Sequence, residues 1–458
     1  MLPPQPRNGG VATLSRLMLL LTLVAAPTSA TAVAAAAAPD APASLPSLAD
    51  ETFANDLNAA EQLIAAGHLE EARTKLIELE KIRPRDSQTQ FLLALLDRQD
   101  KDYESAIRRF HRILVNEPTA VRVRLELGRT FFESGDYANA ERQFRFARAG
   151  KLPPVVLKNV DNYLFAIRGR KTFTFGFSVA IAPDTNLNAG PATDTVSLYG
   201  LPFQLSQNAK ANSGVGLILD ASAEWAPRLS KTLKFRVGTQ IHRAQYRETN
   251  FDDMTVGLYA GPRLNLRRWE FNVLANVGRR WYGDRVYTDI AGGSADATYF
   301  LTTRMGLGAA FNLLHLQYVA NPDQSGYGSN VAFNYFYTPT PASFVKATVQ
   351  LGRLNARNLA YSNHSRQFGL TYVREIAGGI TVGLSPSFTR IGYDAPLAAF
   401  NATRIDRQYT GQITLLDRRI DIHGVTPRVS YTYTRNDSSI PLYKFSRSRV
   451  ELGITSAF

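Results

Sequence analysis

From Lys171 to Phe458, apolar and polar residues trade places at nearly every step. In 213–225, Val215, Leu217, Leu219, Ala221, Ala223 and Trp225 alternate with Gly214, Gly216, Asp220, Ser222 and Glu224. In 233–242, Leu233, Phe235, Val237 and Ile241 alternate with Lys234, Arg236, Gln240 and His242, and 380–389 repeats the pattern. A period of two marks strands with one apolar and one polar face. Many of these stretches exceed ten residues, the length a tilted strand needs to cross a bilayer. Short turns at 227–230, 266–268, 314–315, 339–341, 378–379 and 417–419 alternate with longer loops around 183–212, 248–252, 285–297, 320–329, 356–364, 393–403 and 435–442. Six turns and seven loops predict fourteen antiparallel strands with both ends on the short-turn side. In lipid such strands must close into a barrel, because every backbone polar group needs a partner.

The first part of the chain follows another rule. At a step of 34 residues, Gly67, Lys101 and Gly135 coincide, as do Leu69, Tyr103 and Tyr137, then Ala72, Ala106 and Ala140, then Leu76, Phe110 and Phe144. Pro84 and Pro118 close two of the repeats; in the third, Leu152 takes that place and Pro153 follows. Gly128 stands where the preceding repeat has Ala94. This resembles the tetratricopeptide repeat, a helix–turn–helix unit of that length. About three repeats with a capping helix are expected over 50–170, so the fold class is an all-α solenoid followed by a fourteen-stranded barrel over 171–458. Such solenoids bind extended partners on a concave face. By family register that face carries Gln88, Phe91, Leu95, Arg98, Arg122, Arg129 and Phe132, which makes them candidates for a client groove.

The N-terminus has the layout of an export signal. Arg7 and Arg16 precede the apolar run of residues 17–24, and small-residue sites follow Pro27. That predicts a leader over 1–32 and an Ala/Pro/Ser-rich flexible linker over 33–49. No other stretch is apolar enough for a membrane helix. The mature chain then leaves the cytoplasm, which argues against nucleic acid as partner of the net charge of +13. A mean hydropathy of −0.18 beside 20 Tyr and 25 Phe fits a membrane barrel, where apolar and polar residues average out.

Composition removes much chemistry. Without Cys there are no disulfides, thiolate metal sites or cysteine nucleophiles. The six His are scattered, and no nucleophile elbow or phosphate loop occurs. No enzyme activity and no cofactor is expected. Asp184-Thr185-Asn186-Leu187-Asn188-Ala189-Gly190 has a faint likeness to a calcium loop, but Gly190 comes late and Thr195 stands where a bidentate Glu belongs. Residues 171–458 hold 30 Lys and Arg against 19 Asp and Glu. Lys234, Arg236, Arg428, Arg447 and Arg449 fall on the polar face and are candidate lumen charges. They fit either an anion-favouring or polypeptide-conducting channel, or salt bridges with Glu224, Glu451 and Asp220 in a plugged barrel.

Two local features add to this, one for the barrel and one for a family. Phe458 shares a face with Ile454, Leu452 and Val450, which resembles the signal read by the outer-membrane barrel assembly machinery. Residues 182–188, with Pro183, Asp184, Asn186 and Asn188, look like the Pro-Asp-Ser/Thr-Asn-x-Asn segment of the surface lipoprotein assembly modulator (Slam) family. The order of leader, short solenoid and barrel resembles that family across nearly the whole mature chain. The resemblance implies an outer-membrane translocon with a periplasmic N-terminal domain. It would deliver client lipoproteins or secreted ligand-capturing proteins to the cell surface, acting as a monomer in outer-membrane lipid. From the residues alone, Asp184, Asn186 and Asn188 are expected to fold the first long loop through Asx-turns. A polysaccharide exporter or an anion-selective porin are the alternatives. The former usually carries longer repeat arrays, and the latter has no evident use for a solenoid.

Overall fold

The computed structural model describes residues 48–420, 422 and 424–456. The expected leader, nearly all of the expected linker and Phe458 lie outside them. The chain divides into two compact units, one ending at Leu164 and the other beginning at Phe165.

Seven helices form among the described residues: α1 (Leu48–Ala66), α2 (Leu69–Ile82), α3 (Ser87–Gln99), α4 (Tyr103–Asn116), α5 (Val121–Glu133), α6 (Tyr137–Arg148) and α7 (Pro154–Arg170). The 34-residue step sets their packing. Gly67, Lys101 and Gly135 all take positive φ (84°, 66° and 87°), where the chain reverses between paired helices. Ala72, Ala106, Ala140, Leu76, Phe110 and Phe144 are all buried. A Cβ on Gly128 would stand 3.0 Å from the Phe144 ring, so only a small residue lets α5 and α6 pack this closely. Asp86, Asp102 and Asp136 cap α3, α4 and α6, accepting from the backbone N–H three residues on. Gln90 and Arg124, one repeat apart, are both buried, and each donates to the carbonyl of the proline that closes the preceding repeat, Pro84 or Pro118.

The second unit is a closed antiparallel barrel. Its strands are β1 (Phe173–Asp184), β4 (Gly214–Trp225), β5 (Leu233–Tyr246), β6 (Asp253–Asn265), β7 (Trp269–Tyr282), β8 (Arg285–Phe300), β9 (Met305–Tyr318), β10 (Gly326–Thr340), β11 (Ser343–Ala356), β12 (Asn363–Glu375), β13 (Ile380–Leu384) with β14 (Ser387–Leu397), β15 (Ala402–Asp417), β16 (Thr426–Ser438) and β17 (Phe445–Thr455). Between β1 and β4 lies a two-stranded hairpin, β2 (Thr195–Leu198) and β3 (Leu201–Gln204). Each barrel strand pairs with its neighbours in sequence, and β1 pairs with β17 to close the ring. β13 and β14 form one stave, interrupted at Ser385-Pro386, where proline has no N–H to donate. The count is therefore the expected fourteen.

The two faces separate as the alternation requires. Phe175, Ile181, Leu217, Val273, Phe311, Phe333 and Leu452 stay exposed on the outside, while Ser178, Ala180, Ala182 and Asp184 of β1 are buried inside. An apolar outer surface of this extent belongs in lipid. With its closed ring it makes this an outer-membrane protein.

Two expectations fail. The long loop expected at 285–297 is strand β8, and the turn expected at 314–315 lies inside β9. The connections are Gly283-Asp284 and 301–304. Gly292, Gly293 and Ser294 read as loop residues, but the barrel uses them for close strand approach: a Cβ on Gly292 would collide with the Leu313 carbonyl. Leu314 and Leu316 are buried with Tyr318 and Leu354, on the inner face. The short turn expected at 417–419 falls between Asp417, the last residue of β15, and Thr426, the first of β16.

Candidate functional site

Helices α1, α3, α5 and α7 present consecutive faces of the helical unit, joined by side chains. Gln88 of α3 donates to Glu61 of α1 at 2.6 Å. Arg98 of α3 reaches Glu133 at 3.1 Å and Glu126 at 3.5 Å, both on α5. Arg129 of α5 pairs with Glu126 at 3.2 Å and donates to the Tyr163 hydroxyl of α7 at 3.3 Å. Phe132 packs edge-on to Tyr163 at 5.1 Å and to Tyr137 at 5.7 Å. Arg122 is exposed and lies over the Phe91 ring at 4.4 Å. Leu95 is half-buried. Side-chain contacts thus tie Gln88, Arg98, Arg129 and Phe132 to neighbouring helices along a polar and aromatic strip, with Leu95 and Arg122 on the same two helices, α3 and α5. Phe91 is the exception: it is buried against Phe110 and belongs to the core, so it offers no open contact surface. Glu61, Glu126 and Tyr163 were missed. Their signal was present, since Glu61, Leu95, Arg129 and Tyr163 follow one another at the repeat step.

All five candidate lumen cations have partners. Arg236 donates twice to Glu224, at 2.9 and 2.5 Å, and once to Asn272 at 2.9 Å. Tyr259 donates to the same carboxylate at 2.8 Å. Arg428 and Arg449 share Glu451, at 2.8 and 2.9 Å. Arg447 clamps Asp184 at 2.8 and 2.5 Å. Lys234 donates to the Lys171 carbonyl at 2.6 Å. Asp220 meets His242 at 2.7 Å. Four of these five cations are met locally by carboxylates, and Lys234 by a backbone carbonyl.

The loop motif is a built turn. Asn186 N–H donates to Asp184 Oδ1 at 2.9 Å, an Asx-turn. Gly190 N–H donates to Asn186 Oδ1 at 2.8 Å. Asn188 Nδ2 donates to the carbonyls of Asn208 (2.9 Å) and Lys210. A Cβ on Gly190 would collide with that Lys210 carbonyl. Asp184, Asn186 and Asn188 are all buried. Their oxygens already serve Arg447 and backbone N–H groups, which leaves no vacant ligand set for calcium. Among the described residues no group of three His, Cys, Asp or Glu could hold a metal.

This turn sits on the closing seam. β1 pairs with β4 without a break, but its pairing with β17 runs from Ser178–Thr455 to Ile181–Leu452 and resumes only at Asp184–Arg449. Pro183 lies in the gap and has no N–H. Beyond Asp184 the seam continues: Thr185 N–H donates to the Ser448 carbonyl at 3.0 Å, Ser448 N–H to Thr185 Oγ1 at 2.9 Å, and Asn186 Nδ2 to the Ser446 carbonyl at 3.0 Å. At the other end, Phe177 N–H donates to Ser456 Oγ at 2.9 Å. Val450 is half-buried, and Leu452 and Ile454 are exposed on the outer face of β17.

Comparison with known proteins places the chain. Residues 173–458 match the family described as "Surface lipoprotein assembly modifier". A protein of that name from Pasteurella multocida is 22% identical over 388 residues, covering 80% of this chain and 75% of its own. "Surface lipoprotein assembly modifier 1" of Neisseria meningitidis is 22% identical, covering 79% and 74%. The "Hemophilin secretion modulator" of Acinetobacter baumannii is 21% identical, covering 81% and 79%. The closed barrel, its latched seam and the match across the whole barrel agree, and this chain belongs to the surface lipoprotein assembly modifier family.

Proposed function

We propose that this protein delivers client proteins from the periplasm to the cell surface. The helical unit, on the periplasmic side, engages the client, and the barrel passes or releases it outward. The clients are surface lipoproteins or secreted ligand-capturing proteins. The observation that carries this reading is the strip of Arg98, Arg129, Phe132 and Tyr163, a polar and aromatic surface on a repeat fold suited to extended peptides. The names of the relatives support it, since they refer to lipoprotein assembly and to secretion of a second protein. The pairing of Arg236, Arg428, Arg447 and Arg449 with carboxylates speaks against an anion-selective pore.

Protease shaving of intact cells tests the proposal. The chain is expressed with a lipoprotein encoded beside its gene, with and without residues 50–165. Client exposure only with the full chain supports delivery and a need for the helices. Equal exposure without the chain sinks it for that client. The double variant Arg98→Glu/Arg129→Glu is expected to weaken client capture about tenfold, roughly 1.4 kcal/mol. The helical circular dichroism signal should persist, and unchanged capture would remove the strip from the mechanism.

A further inference from the structure

On the outer surface of the barrel, three arginines stand in line. Arg366 of β12 is in direct register with Arg390 of β14, and Arg390 with Arg407 of β15. All three are exposed. Neighbouring strands lie about 4.8 Å apart, and like charges directly opposite each other repel. Among the described residues none forms a hydrogen bond or ion pair with any of them. Elsewhere on the outside the chain neutralises such residues: Arg279 with Asp289, Arg353 with Asp394, and Arg435 with Asp437. Asp437 is the register neighbour of Arg407, but its carboxylate is held by Arg435. The row is therefore a cationic patch with no counter-charge of its own.

What lies beside it defines the ligand. One pleat away from the long-loop end are Phe368, Phe388 and Tyr409, again in register, with Phe388 and Tyr409 rings 5.1 Å apart. Phe368 and Tyr409 are about half exposed, as is Leu351 beside Arg366. An aromatic row below a cationic row marks the edge of the hydrocarbon. An amphiphile that fits has acyl chains against the aromatics and anionic oxygens at the guanidinium level. Arginine forks match phosphate oxygens two at a time. Three forks across adjacent strands suit a headgroup carrying more than one phosphate.

We propose that Arg366, Arg390 and Arg407 form a binding site for a phosphorylated glycolipid of the outer leaflet, the lipid A part of lipopolysaccharide. The proposal rests on the orientation proposed above, in which the helical unit is periplasmic, so that the chain ends and short turns face the periplasm and the long loops lie outside. There the row faces the leaflet in which the multiply phosphorylated lipid resides. The bound lipid supplies the charge the protein lacks and fixes the height of this wall in the membrane.

The test uses the full chain in neutral detergent, titrated with bisphosphorylated lipid A and followed by native mass spectrometry. Wild type is expected to bind at least tenfold more tightly than the triple variant Arg366→Gln/Arg390→Gln/Arg407→Gln. Dephosphorylated lipid A should bind wild type no better than it binds the variant. Equal binding by wild type and variant overturns the site. So does phosphatidylglycerol matching lipid A, which would make the row a general anion belt, or an acidic peptide displacing the lipid at equal concentration. Heat-modifiable gel mobility reports whether the variant has formed its barrel. Should it not, the triple lysine variant keeps the charge but loses the forks, and is expected to bind several-fold more weakly than wild type. Equal binding by that variant overturns the bidentate site. No client is present, so a negative result leaves client delivery standing. A tag in loop 199–200, probed on intact cells, reads the orientation separately.

Discussion

Single residues in the helical unit carry consequences that the repeat register explains. Lys101 occupies the turn position that glycine holds in the other two repeats, and it keeps the left-handed backbone at φ 66°. An L-residue pays about 1 kcal/mol there. Lys101→Gly is expected to stabilise the helical unit by about that amount, seen as a higher urea midpoint of the helical signal. Asp102, its neighbour, caps α4. Hydrogen bonds from the side chain and backbone of Ser105 hold its carboxyl below the usual range. A depressed carboxylate stabilises above its unfolded pKa, and the effect is lost as pH falls through the folded value. Asp102→Ala should cost about 1 kcal/mol at pH 7. The difference from wild type should shrink below about pH 4, and a constant difference down to pH 2 would contradict the charged cap. These positions were legible because one spacing repeats. Phe91 was not, because register alone puts it on the inner helices without saying that Phe110 and Arg122 bury it.

Strands were legible as strands, and their ends less so. Alternation exposed the fourteen staves, since each must show lipid one face and the lumen the other. It failed between 285 and 318, where Gly292 and Gly293 serve strand approach rather than a turn. One misplaced loop and one misplaced turn compensated, so the count survived. The seam was invisible to periodicity altogether, because its contacts join residues from opposite ends of the barrel. Its strength is testable. Arg447→Ala would leave Asp184, whose side chain is fully buried, without its cation. Removing one partner of such a pair costs about 3–5 kcal/mol. The expected result is a lower temperature for loss of the compact band in heat-modifiable electrophoresis. Arg279→Ala, which breaks an exposed pair, should shift it far less.

At the scale of the molecule, composition and period were enough to separate a repeat unit from a membrane barrel and to suggest the family. No client's identity was legible, since the strip of Arg, Phe and Tyr proposed to hold one carries no partner's name. The seam has one more implication, for the order of events in biogenesis. Asn186 and Ser446 are 260 residues apart, and Phe177 and Ser456 are 279 apart. Every other stave can pair with a strand just made, whereas these contacts wait for almost the entire barrel to be synthesised. Contacts of such separation are slow to form because a long loop must close before they give anything back. Until β17 arrives, β1 presents an open edge, prone to pairing with another chain. The barrel therefore depends on being held unsealed and protected until its last strand is delivered, and the buried latch of Asp184 and Arg447 is among the last connections to become possible.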